Sequence, residues 1–124
     1  MDFIATKDAP HAIGPYSQAV REGNVLYCSG QIALDPATGN LVEGDFAAQC
    51  RRVFENLKAV LTAASTDFSH VTKATVYITD FANFQTLNTM YGEYFGAHKP
   101  ARTTVAVAAL PRNALLEIDL IAVG

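Results

Sequence analysis

The chain has 124 residues, 50% of them hydrophobic and 17% charged, and neither a composition shift nor a Pro/Ser-rich linker divides it, so one domain over 1–124 with a full core is expected. A formal charge of -3 with no Lys/Arg cluster leaves no basic field for a phosphate backbone, which argues against nucleic acid as the main partner. No run approaches the roughly 20 apolar residues of a bilayer span, and Met1-Asp2-Phe3-Ile4-Ala5-Thr6-Lys7-Asp8 lacks the basic patch and apolar stretch of a leader, so a soluble, cytoplasmic protein without a membrane partner is expected.

The first third reads as β-structure. Between Ser17 and Ser29, two short apolar and β-branched runs flank Gly23-Asn24, a dipeptide that tolerates the positive φ of a two-residue hairpin turn. A third strand is expected over Gln31–Leu34, ending at Asp35-Pro36-Ala37-Thr38-Gly39, where proline presets φ and glycine releases the turn. From Asp45 to Ala64, residues Phe46, Cys50, Val53, Phe54, Leu57, Val60, Leu61 and Ala64 recur at three- and four-residue steps. That is the period of a helix with one apolar face, and Asp45 is its expected N-cap. Val71–Ile78 alternates and is rich in Val, Thr, Tyr and Ile, as a strand requires. A second helix covers Asn83–Phe95, with Phe84, Leu87, Tyr91, Tyr94 and Phe95 and with Gly96 as its stop. Arg102–Ala108 and Leu115–Val123 are the last strands, joined by a turn containing Pro111 and Asn113.

The order βββαβαββ indicates an α+β fold, a mixed sheet with two helices on one face. The other face needs a cover, and apolar surface on a small domain points to another copy of the chain. Cys28 and Cys50 fit neither a CxxC nor a zinc spacing and read as reduced, buried thiols. His11, His70 and His98 form no HExxH or i,i+4 pair, and GxSxG, P-loop and GxGxxG motifs are missing. Zinc-enzyme, serine hydrolase, NTPase and dinucleotide readings therefore lack their parts, and no metal or cofactor is expected.

Pro100–Glu117 carries the most chemistry. Arg102 enters one strand and Glu117 lies in the next, an arrangement in which a guanidinium and a carboxylate on neighbouring strands would grip a small anion and manage a water beside it. Each also has a structural reading, Arg102 as a surface ion pair and Glu117 as part of a half-solvated strand edge. Alternation sets Leu116, Ile118, Leu120 and Ala122 on one face of the last strand and Glu117, Asp119, Ile121 and Val123 on the other. Tyr16, in Gly14-Pro15-Tyr16-Ser17, either overhangs a pocket mouth or packs at a corner. In Ser29-Gly30-Gln31 the glycine admits either a bulge or close approach by a ligand. Asn88 is either a site amide on the second helix or solvated.

Six segments taken in order resemble the RidA/YjgF family of imine deaminases, also described as L-PSP proteins. They are Ala12-Ile13-Gly14-Pro15-Tyr16-Ser17-Gln18-Ala19, Ser29-Gly30-Gln31-Ile32, Gln49 through Asn56-Leu57, Val71-Thr72-Lys73-Ala74-Thr75-Val76-Tyr77, Asn88 to Phe95, and Pro100-Ala101-Arg102 through Glu117-Ile118-Asp119. Each is weak alone, but their order and spacing are specific and span nearly the whole chain.

The resemblance implies a chorismate-mutase-like α+β fold and a homotrimer with clefts between subunits. It also implies hydrolysis of reactive 2-imino acids and their enamine tautomers, such as 2-aminoacrylate, to 2-oxo acids and ammonia without a cofactor. Carried to matching positions, Arg102, Glu117 and Tyr16 form the catalytic set. Arg102 would hold the substrate carboxylate and Glu117 would orient or deprotonate water. Tyr16, Ser29, Gly30 and Asn88 would line the cleft, with the backbone of Thr103 and Thr104 beside the bound acid. Thr104 departs from the cysteine of many bacterial relatives, Asp119 replaces a common glutamate, and the loop from Phe95 to Pro100 is short. The rival readings are a 2-oxo acid-binding or regulatory module without turnover and an endoribonuclease. The joint presence of Arg102 and Glu117 favours catalysis over the first, and the acidic charge counts against the second.

Overall fold

The computed structural model describes residues 1–124. The elements are β1 (Asp2–Ile4), β2 (Ala19–Glu22), β3 (Val25–Gln31), α1 (Phe46–Ala63), β4 (Val71–Ile78), α2 (Phe84–Phe95), β5 (Ala101–Ala106) and β6 (Leu116–Val123). The strands form one sheet in the order β1-β2-β3-β6-β4-β5. β4 and β5 pair in parallel, because α2 carries the chain back before β5 begins, whereas β6 lies antiparallel to both β3 and β4.

Local chemistry sets the element ends. Gly23 turns the β2–β3 hairpin with φ 62°. Asp45 caps α1, its Oδ1 accepting the Ala48 N–H at 3.0 Å. Gly96 ends α2 with φ 62°, a left-handed value costly for other residues, and its N–H reaches the Gly92 carbonyl at 2.9 Å. One expectation is corrected here. No third strand covers Gln31–Leu34: β3 runs to Gln31, the chain then leaves the sheet, and Leu34 makes only an isolated bridge to Leu41. The register of β3 against β6 shifts between Cys28 and Gln31, and that bulge turns the chain away. The strand that restores the count is β1, paired to β2 through Phe3 and Val20.

The core occupies the helical side. Leu116, Ile118, Leu120 and Ala122 of β6 and Ala74, Val76 and Ile78 of β4 are buried together with Val53, Phe54, Leu57 and Val60 of α1 and Leu87 of α2. Phe54 stacks on Tyr94 with centroids 4.6 Å apart, tying α1 to α2. The opposite sheet face bears Phe3, Val20, Tyr27, Tyr77, Val105 and Ile121 with Lys73, Thr75, Thr103, Glu117 and Asp119. No helix or strand packs over it, and Phe3 and Tyr27 are 69% and 51% exposed. No helix is long and apolar enough to cross a membrane.

Candidate active site

Glu117 leaves β6 on the open face, half-buried, opposite Tyr77 of β4. On its other side β3 bulges, and Gly30 lies in that bulge. A Cβ on Gly30 would collide with Glu117 Oε2 and come within 2.9 Å of Cδ, so only glycine leaves this carboxylate its place. Glu117 has no ion-pair partner. Burial, and then the charge of Asp119 on the same face, push its pKa above the ordinary glutamate value. It sits in a cleft of about 440 Å³ with Ile13, Tyr16, Ser29, Gly30, Ile32 and Arg112 among its walls.

Buried amides hold the loops around this cleft. Gln18 Nε2 donates to the carbonyls of Thr6 at 2.9 Å and Pro10 at 2.8 Å, and its Oε1 accepts the Thr6 N–H at 2.7 Å. Asn56 Nδ2 donates to the Leu34 carbonyl at 2.9 Å, and Gln49 Oε1 accepts the Leu115 N–H at 2.9 Å, just before Glu117's strand. Ser29 Oγ donates to the Ser17 carbonyl at 2.6 Å, so its hydroxyl ties the Tyr16 loop to β3. Tyr16 itself is 53% exposed at the rim.

Arg102 lies on the other side of the sheet. It pairs in register with Ala74, a fully buried core residue, and turns toward α2. Its guanidinium carbon is 4.8 Å from the Tyr91 ring centroid and 5.7 Å from that of Phe84. It makes no ion pair, so its fork is free for an anion. Asn88, Tyr91, Lys99, Pro100 and Arg102 line a second cleft of about 340 Å³. Thr104, two residues along the strand, shares the Arg102 side. Thr103 instead faces the open side, where its Oγ1 accepts from Lys73 Nζ at 2.7 Å.

The structure therefore divides the residues named from sequence. Tyr16, Ser29, Gly30 and Glu117 converge, as do Arg102 and Asn88, with Thr104 on the Arg102 side, but the two groups face opposite sides of one sheet. The neighbouring-strand expectation is corrected, because β4 lies between β5 and β6 and β5 joins the edge by parallel pairing. Within this chain Arg102 and Glu117 do not meet as a gripping pair. The sequence pattern sets Tyr91 only on the apolar stripe of α2 and gives Gln18 and Arg112 no distinguishing signal. Nothing in the local pattern tells that Tyr91 meets Arg102, because that contact joins a helix to a strand. No three His, Cys, Asp or Glu side chains are grouped to hold a metal ion. Cys28 and Cys50 are free and buried, and burial pushes both thiols up to about 12, so both stay neutral.

Residues 6–124 match the family model described as endoribonuclease L-PSP. Protein DfrA of Myxococcus xanthus is 55% identical over 98% of this chain and 94% of its own length. The 2-iminobutanoate/2-iminopropanoate deaminase of Bos taurus is 47% identical over 98% of this chain and 88% of its own. A solved structure of the conserved Rid protein family, from Yersinia pestis, superposes with a TM-score of 0.96 at 48% identity, covering 99% of this chain and 98% of that one.

Proposed function

This chain belongs to the RidA/YjgF family of L-PSP proteins, and on that footing we propose that it is a cytoplasmic deaminase, hydrolysing 2-imino acids and enamines of the 2-aminoacrylate and 2-iminobutanoate type to 2-oxo acids and ammonia. The observation that carries the reading is Glu117, a half-buried carboxylate with no ion-pair partner, seated against Gly30 in a cleft and titrating above the ordinary glutamate value. A raised pKa brings a carboxylate toward the working range of a general base. Two free, buried thiols fit a reducing compartment.

In this reading Arg102 holds the substrate carboxylate by two parallel hydrogen bonds. The protonated imine carbon is already electrophilic. Glu117 takes a proton from water as the water oxygen bonds to that carbon and the C=N pair moves to nitrogen. The proton then passes to the amine, the C–N bond breaks, and the hydroxyl oxygen closes the carbonyl as it loses its own proton to the departing ammonia. One positioned acid/base group supplies about 10²- to 10⁴-fold, and orientation adds more. Because the half-sites lie on opposite sides of one sheet, they meet only when the Arg102 side of one copy closes on the Glu117 side of another. A homotrimer making one such cleft at each interface is the assembly proposed, with the open sheet face buried within it.

The test is loss of an imine generated in place by an amino-acid oxidase, read by semicarbazide trapping. The protein should accelerate that loss, and Arg102→Ala should abolish the acceleration. Unchanged decay with the unaltered protein, together with binding of 2-oxo acids, would replace the deaminase by a metabolite-binding module.

A further inference from the structure

The Arg102 half-site holds more polar chemistry than a lone arginine needs. The guanidinium lies over the rings of Tyr91 and Phe84, which restrain it while all its N–H donors stay uncommitted. Three buried side-chain hydroxyls lack a hydrogen-bond partner, and two of them lie on this side of the sheet, Tyr91 Oη at the cleft and Thr104 Oγ1 two residues along β5 from Arg102. A buried hydroxyl left unpaired lowers stability, and Phe or Val would fill the same volumes without that loss. Two such hydroxyls on the side of the sheet that carries an uncommitted guanidinium, with Tyr91 and Arg102 both lining the same cleft, suit a polar ligand better than they suit the fold. Burial also raises the Tyr91 pKa, against the opposing pull of Arg102, which keeps the phenol in its donor form.

We propose that the side-chain hydroxyls of Tyr91 and Thr104 complete the ligand site: the Tyr91 and Phe84 rings aim the Arg102 fork, and the two hydroxyls hydrogen-bond the carboxylate that the fork holds. This rests on the reading of Arg102 as the carboxylate-holding group. Because the carboxylate is held equally before and during the reaction, loss of these contacts raises KM and leaves kcat nearly unchanged.

The experiment measures calorimetric affinity for 2-oxobutanoate, KM and kcat for the matching imine, and melting temperature in four variants. Tyr91→Phe and Thr104→Val should melt at or above the temperature of the unaltered protein, yet bind roughly three- to tenfold more weakly. Tyr91→Leu, which also removes the ring beneath the guanidinium, should bind roughly another three- to tenfold more weakly than Tyr91→Phe. Unaltered affinity in both Tyr91→Phe and Thr104→Val would overturn the inference, as would a fall in melting temperature without a rise in KM. Arg102→Ala separates the two levels. If it loses binding while the hydroxyl variants do not, only this inference falls, and if it binds normally, the carboxylate assignment itself falls.

Discussion

Glu117 is placed at a cost to the fold. Its folded pKa lies above that of the unfolded chain, mainly through burial and then through Asp119, so the folded state binds more protons there. Stability therefore falls as pH rises from the ordinary glutamate value through the folded one. Glu117→Gln should lose at least roughly 10²-fold in kcat, yet melt higher than the unaltered protein at neutral pH, with the gap closing in acid as the glutamate protonates. Activity of the unaltered protein should fall on the acid side, with an apparent pKa above the ordinary glutamate value. Thermal melts across pH and the acid limb of the rate profile check both, and a melting temperature lowered at neutral pH would show that Glu117 stabilises the fold instead. The residue itself was legible in the sequence because alternation along β6 is local. The unpaired hydroxyl of Tyr91 was not, because partners are counted only after α2 has packed on β5.

At the level of elements, β3 decides whether the carboxylate has room. Its bulge brings Gly30 against Glu117, and the same irregularity ends the strand at Gln31. Of the two alternatives at Ser29-Gly30-Gln31, the bulge is present, and the group that closely approaches the glycine is this chain's own glutamate. Gly30 has no positive φ, so Gly30→Ala should fold and melt near the unaltered protein while forcing the Glu117 carboxylate aside. A displacement of about 1 Å costs about 10²-fold in rate, and kcat should fall by that order. Full activity in this variant would mean that the carboxylate works from another position. Helix α1 was legible to within a residue because its apolar period repeats over 18 residues and Asp45 announces its start. The three residues of β1 carry too little pattern to announce a strand, and their pairing with β2 is a long-range event.

The whole molecule poses the question of how two half-sites on opposite sides of one sheet become one. If they meet between copies, Arg102→Ala and Glu117→Gln chains are each inactive alone but complement one another when refolded together. Random mixing then leaves about a quarter of the interfaces with both groups intact, and about a quarter of the unaltered protein's rate should return. No recovery, in mixed particles whose mass is a multiple of 13.3 kDa, would show that each site belongs to one chain. The sequence by itself determined the helices, most of the strands, the side of β6 on which Glu117 stands and, through six ordered segments, the family. Those features depend on local period, capping chemistry and spacing, which a chain carries before it folds. Only the tertiary structure decided that β6 inserts between β3 and β4, that Arg102 and Glu117 point away from one another, and that Arg102 rests on two aromatic rings. Strand order and side-chain contact are set by packing between distant segments, and no single stretch of sequence contains both partners.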